Sequence, residues 1–249
     1  MRNWVMAAAA LAAVVALPSV AAAQATGYVG LDYANTDTNL SDSNDAWGAS
    51  GSVAFAGSSS ISFEVDAAIL DGDNSDTSEA LTGHVFTRND SYLFGGFVGY
   101  QHSDAADAWS AGLEANKYWD SFTLAGAVVY ANSDDVDTSA WGVNAEGRYF
   151  INDNFRVDGD LGWANVDLPG AGNDDNVWSA GVGAEYQFSE APVSIGAHYS
   201  HFEFNDANVD GNVWAVSLRY NFGGSLKDRD RSGASQSSIT GIGGVTGVF

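Results

Sequence analysis

The chain has 249 residues, a formal net charge of −23 at pH 7 and no cysteine. The missing cysteine excludes disulfides, thiolate metal sites and a cysteine nucleophile, and the acidic charge argues against nucleic acid as a partner, because phosphates would be repelled. No stretch after residue 25 is both long and continuously apolar, which excludes a bundle of membrane-spanning helices.

The first 25 residues have the pattern of a secretory signal peptide. Arg2 supplies the positive start, residues 5–20 are apolar and rich in alanine, and residues 21–25 contain small-residue cleavage sites. The apolar run is too short, and its side chains too small, for a good membrane-spanning helix. We therefore predict an exported chain with a signal peptide at 1–25, one large β domain at 26–222 and a tail at 223–249.

Twelve segments of the β domain are predicted as strands, because in all but the fifth apolar and polar residues alternate with a period of two, which indicates strands with two different faces. The last strand shows the pattern best, with Trp214, Val216 and Leu218 on one face and Ser217 and Arg219 on the other. The segment after residue 91 alternates poorly. The predicted strands are residues 26–34, 45–57, 59–70, 79–87, 91–101, 107–118, 121–131, 139–150, 154–165, 176–188, 192–202 and 212–222.

The connections and strand lengths favour a membrane barrel. Short turns such as Gly57-Ser58 alternate with longer predicted loops at 35–44, 71–78, 102–106, 132–138, 166–175 and 203–211. Strands in soluble sandwiches average about 5–6 residues, whereas the predicted strands approach or exceed the 9–11 or so that cross a bilayer. We predict an all-β, transmembrane, antiparallel up-and-down barrel of about twelve strands with both termini periplasmic.

Aromatic residues gather near both ends of the predicted strands. The predicted aromatic girdles consist of Trp47, Trp109, Trp141, Trp178 and Trp214 at one end and Tyr186, Tyr220 and Phe222 at the other. Aromatic residues suit strands in general, and a soluble sandwich or a lipocalin-like barrel would bury the same apolar face. The aromatic ends, the loop asymmetry and the export signal together favour the outer membrane of a Gram-negative cell.

The polar face is predicted to line the interior. The predicted pore-lining residues are Asp32, Glu64, Asp66, Glu114, Glu146, Arg148, Arg156, Asp158, Asp160, Glu185 and Arg219. They suit either an ion-pair network that holds a narrow barrel together or a constriction with acids opposite bases. A twelve-stranded barrel has a backbone diameter of roughly 24 Å, so the side chains decide whether a narrow pore stays open.

Acidic and basic residues are predicted to concentrate at opposite ends of the barrel, the acidic ones at the longer connections and the basic ones toward the periplasm. Eighteen of the 32 acidic residues lie in or beside the six longer connections, where no Lys or Arg occurs. An acidic rim concentrates cations and repels anions. We expect contact with outer-membrane lipid and lipopolysaccharide, with bridging divalent cations as one means of attachment. The pattern leaves a homo-oligomer open, because nothing in it marks a subunit interface.

The end of the chain resembles a known family. Residues 214–222 resemble the terminal assembly signal of outer-membrane proteins, and with Gly223-Gly224 and the basic segment 226–231 they are similar to small porin-like barrels of alphaproteobacteria. The usual signal ends the chain, whereas here about 27 residues follow Phe222. The tail either extends flexibly into the periplasm, which is the favoured interpretation, or folds into the lumen.

The predicted function is a porin-like channel for passive diffusion of small solutes, preferentially cationic or neutral and hydrophilic. One alternative is a non-conducting structural or adhesive barrel that acts through its acidic loops. Another is a lipid hydrolase, but His198 and Ser200, two residues apart on one strand face, make no triad. No enzyme activity and no catalytic, cofactor or metal site is predicted.

Overall fold

A computed structural model describes residues 25–56, 60–73, 75–169 and 174–239. The predicted signal peptide, apart from Ala25, and the predicted turn at Gly57-Ser58 lie outside these residues. No helix among the described residues has the length and apolar character to cross a membrane.

Twelve strands form a closed antiparallel barrel, in which each strand pairs with its neighbours in sequence and β12 closes on β1. This confirms the predicted all-β barrel and the strand number. The strands are β1 Ala25–Thr38, β2 Ser41–Ala56, β3 Ile61–Gly72, β4 Ser75–Arg88, β5 Tyr92–Ser103, β6 Asp107–Tyr118, β7 Phe122–Ser133, β8 Thr138–Asn152, β9 Phe155–Asp167, β10 Asp174–Gln187, β11 Val193–Phe204 and β12 Val209–Phe222.

The predicted contrast between long loops and short turns is wrong. The end where β1 joins β2, here called the loop end, has connections as short as residues 39–40. The opposite end, here called the turn end, joins β8 to β9 through residues 153–154 and β10 to β11 through residues 188–192. Polar strand tips broke the apolar alternation in the sequence, but backbone pairing continues through them, as between Asn35 and Asp45. The Asp45 carboxylate also accepts hydrogen bonds from the side chains of Tyr33 and Asn35.

The outer face is apolar along the middle of the barrel. Leu113 and Leu161 are 71% and 65% exposed there. Such a band suits contact with lipid chains. All eight residues predicted as aromatic girdles are exposed or half-buried. Within three residues of a strand end lie Trp109, Trp141, Tyr186, Tyr220 and Phe222, whereas four to six residues inside one lie Trp47, Trp178 and Trp214, because the strands extend past their predicted bounds at the loop end. Their anchoring role stays a prediction.

Strand β5 alternates poorly because both of its faces are apolar. Phe94 and Val98 point outward and are exposed, whereas Leu93 and Phe97 are buried on the inner face. Leu93 packs with Phe86 and Tyr118 inside the barrel. The sequence pattern thus fails where the lumen itself contains a packed core.

The chain turns back into the barrel after β12. Gly223 and Gly224 have positive φ values of 95° and 128°, a backbone region that glycine adopts without strain. A short helix, α1 (Leu226–Ser232), follows, with a capping box between Ser225 and Asp228. Residues 223–239, here called the tail, contact the inner wall. The favoured interpretation of a flexible periplasmic extension is therefore corrected for the described residues of the tail, which follow the lumenal alternative.

Candidate functional site

The barrel interior is the candidate site, because the charged residues converge there. The structure places all eleven predicted pore-lining residues on the inner face, although their part in permeation stays a prediction. Buried there are Asp32, Glu64, Asp66, Glu114, Glu146, Arg148 and Glu185, and half-buried there are Arg156, Asp158, Asp160 and Arg219.

Arg148 is the centre of one buried ion network. Its Nη2 lies 2.7 Å from Glu146 Oε2, and its Nη1 lies 2.8 Å from Asp230 Oδ1 in helix α1. Ser238 bonds to both Glu146 and Arg148. The side chain of Arg148 is only 1% exposed, so one strand residue holds two parts of the tail through charges that are shielded from water.

Glu185 is the centre of a second network. Its Oε2 lies 2.8 Å from Arg229 of the tail, 3.3 Å from Arg156 and 3.4 Å from Arg219. Burial lowers the pKa of the Arg229 guanidinium, and the Glu185 carboxylate opposes that shift. The guanidinium also lies over the ring of Tyr28, 5.0 Å from its centroid. The sequence left two interpretations of the interior open, an ion-pair network and a constriction with acids opposite bases. The surroundings of Glu185 have features of both, and Arg229 of the tail adds a further base to the network.

His84 is an interior residue whose role sequence reasoning missed. Its Nε2 lies 2.9 Å from Asp66 Oδ2, and its Nδ1 lies 2.9 Å from Glu114 Oε2. Glu64, Asp66 and His84 also have potential ligand atoms within 4.8 Å of one another. Because each ring nitrogen already faces a carboxylate, the arrangement is that of a charged bridge between strands β3 and β6.

The His84 bridge passes over Gly95 of β5, where a side chain would intrude. A Cβ on Gly95 would lie 2.5 Å from Phe86 Cβ and 2.9 Å from Glu114 Oε1, whereas a Cβ on Gly83 would meet nothing within 4 Å. We expect Gly95→Ala to lower the free energy of unfolding by about 1–3 kcal/mol through overpacking. Denaturant titration in detergent, followed by tryptophan fluorescence, measures the effect. Gly83→Ala is the matched control, and equal midpoints for both variants would contradict the proposed close packing.

The tail continues from α1 across the lumen. The backbone N–H groups of Ser235 and Gln236 donate to Glu64 on β3, at distances of 2.9 to 3.1 Å. Asn144 on β8 donates to the carbonyl of Ile239. The Ile239 side chain packs against Phe97, Ala125, Ala127 and Val129 of β5 and β7. These contacts explain why the inner faces of β5 and β7 are apolar.

A cavity of about 230 Å³ lies inside the barrel. Its wall includes six carboxylates and four guanidiniums. Tail residues from Arg229 to Ser238 form part of its lining, so the tail bounds the cavity on one side. The acidic residues are Asp66, Glu146, Asp158, Asp160, Glu185 and Asp230, and the basic ones are Arg148, Arg156, Arg219 and Arg229.

A second feature that sequence reasoning missed is an apolar cluster inside the barrel near the loop end. Phe202 and Phe204 of β11 pack against Val213 of β12 and Val177 of β10. The available signal was that Phe202 and Phe204 follow His198 by four and six residues, since residues an even number apart share a strand face. The cluster narrows the interior on the side formed by β9 to β12 and β1.

Comparison with known proteins places these features in a family. The model of the outer membrane protein beta-barrel domain matches residues 6–222. No curated protein matches the chain.

Three examples illustrate the solved structures that share the fold. The NanC porin is 9% identical with a TM-score of 0.57, covering 76% of this chain and 98% of its own. An outer-membrane channel from Pseudomonas putida F1 is 11% identical with a TM-score of 0.56, covering 80% and 95%. The KdgM porin, in complex with disordered oligogalacturonate, is 7% identical with a TM-score of 0.51, covering 78% and 99%. This chain therefore belongs to the outer membrane protein beta-barrel domain family of the Gram-negative outer membrane, and it shares its barrel fold with porins and channels of known structure.

Proposed function

We propose that the protein is a channel for small hydrophilic solutes that prefers cationic and neutral solutes over anions. The observation that carries the proposal is the acid excess of the interior, where six carboxylates and four guanidiniums line one cavity. The acidic residues of the loop end extend this negative potential to the mouth. A charged mouth raises the local concentration of counter-ions and repels co-ions.

The surroundings of His198 give no support to the lipid-hydrolase alternative. His198 Nε2 lies 2.9 Å from Asp160 Oδ2, which forms a histidine–carboxylate pair. A serine hydrolase would need a serine hydrogen-bonded to that histidine. Within the described residues, Ser200 Oγ is buried without a hydrogen-bond partner, so it makes no such contact.

The tail across the lumen favours a second candidate function, that of a barrel that does not conduct and acts through its acidic loop end. Some acidic residues at the loop end already accept hydrogen bonds from other parts of the protein. Asp175, for example, accepts hydrogen bonds from the backbone N–H groups of Asp206 and Ala207. Attachment to lipopolysaccharide through divalent cations belongs to this second candidate.

Ion selectivity in planar bilayers tests the first candidate. In a KCl gradient, we expect the current to reverse toward the equilibrium potential of K⁺. Asp160→Asn removes a carboxylate from the cavity wall and should shift the reversal potential toward zero, because selectivity follows lining charge. Glu190→Gln, at an exposed position between β10 and β11, is the control. Reversal toward the Cl⁻ potential, or silence of the folded barrel both with and without its tail, contradicts the proposal.

A further inference from the structure

We propose that the tail is a displaceable plug that closes the channel, an inference that rests on the proposed channel function. The tail has partners on strands from opposite sides of the barrel. Polar contacts join it to Tyr28 on β1, Glu64 on β3, Arg88 on β4, Arg148 on β8 and Glu185 on β10. Apolar contacts add β5 and β7 through Ile239. A segment with partners on opposite walls crosses the lumen.

The tail fills space that would otherwise be part of a pore. Leu226, Arg229, Asp230, Gln236 and Ile239 are each at most 6% exposed. On the loop-end side of the tail lies the lumenal cavity, which Arg229 and Asp230 help to line. A solute that enters the cavity from the loop end therefore meets the tail before it reaches the turn end.

The barrel does not depend on the tail for closure. Every strand pairs with two other strands, and β12 closes directly on β1. The tail adds no strand to the sheet, and a chain without cysteine has no disulfide to fix it in place. Departure of the tail would therefore leave the backbone hydrogen bonds of the barrel intact, as a membrane barrel requires.

The chemistry of the contacts suits reversible binding. The tail brings one buried base, Arg229, and one buried acid, Asp230, and the wall supplies Glu185 and Arg148 as their partners. Water solvates all four groups when the tail leaves, and this solvation offsets much of the attraction between buried charges. The described tail buries only three apolar side chains, those of Leu226, Ala234 and Ile239. The state with the tail in the lumen is thus more stable than the state with the tail displaced, but the tail can still leave.

Single-channel recording on three forms of the refolded protein tests the plug. The full chain and a chain that ends at Ile239 keep every described tail contact, and both should be closed most of the time. A chain that ends at Gly224 lacks the plug, and its mean current should be about tenfold or more higher, as expected when a closed state loses its stabilising contacts. Heat-modifiable gel mobility and circular dichroism establish that each form is folded.

A point variant keeps the test independent of truncation. Asp230→Asn preserves the shape of the side chain but removes the charge that pairs with Arg148, so the open fraction should rise by about tenfold. Equal currents from the full chain and the chain ending at Gly224 would overturn the plug and leave the channel standing. If no folded form conducts, both the proposed plug and the proposed channel function are overturned. An anion-preferring current that appears only without the tail would support the plug and overturn the proposed cation preference.

Discussion

Leu161→Arg is expected to destabilise the folded barrel by about 2–4 kcal/mol, the penalty for a cation on the lipid-facing side of a barrel at mid-membrane. Leu161 lies at the centre of β9 on the outer face and is 65% exposed. If that face met water, an arginine there would be harmless. Reversible denaturant unfolding in phospholipid vesicles, followed by tryptophan fluorescence, measures the difference.

Leu40→Arg is the matched control, since it has the same residue type and a similar exposure of 72%. Leu40 lies in the connection between β1 and β2 at the loop end, beyond the apolar band. Near the membrane interface, the penalty for arginine falls to about 0–1 kcal/mol. Identical stabilities for the two variants would show that the outer face does not border lipid at the level of Leu161.

Arg148→Ala should have the largest effect inside the barrel, with a loss of about 3–5 kcal/mol in the free energy of unfolding, because removal of one buried partner leaves uncompensated charge. Arg148 pairs with both Glu146 and Asp230, and its side chain is 1% exposed. The same substitution releases one anchor of the tail. Denaturant midpoints and the susceptibility of the tail to protease measure the two consequences separately.

Arg148→Lys and Lys227→Ala complete that experiment. Lysine keeps the charge but lacks the planar guanidinium that contacts two carboxylates at once. The free energy of unfolding of Arg148→Lys should therefore lie between those of the wild type and Arg148→Ala. Lys227 lies 3.7 to 3.9 Å from the exposed carboxylates of Asp153 and Asp120, and its removal should leave the midpoint nearly unchanged. A midpoint for Arg148→Ala as high as that for Lys227→Ala would count against a stabilising network in the lumen.

The position of the tail inside the barrel was not predictable from any local pattern in the sequence. The contacts between Glu64 and Gln236 and between Arg148 and Asp230 join residues 172 and 82 positions apart. The basic segment at 226–231 is as compatible with exposure to water as with burial inside the barrel. A usable signal was nevertheless present, because β5 and β7 lack the polar inner face expected of a water-filled lumen. Apolar residues on both faces of a barrel strand indicate that something packs inside.

The sequence by itself determined the number of strands, their antiparallel order and the inward face of those strands that alternate, because alternation with a period of two is a local property of each strand. Only the tertiary structure decided the rest. His84 reaches Asp66 and Glu114 because the neighbouring Gly95 has no side chain, and Ile239 lies on Phe97 because the chain reverses at Gly223 and Gly224. Such contacts are non-local, since the closed barrel brings residues far apart in sequence around a common interior.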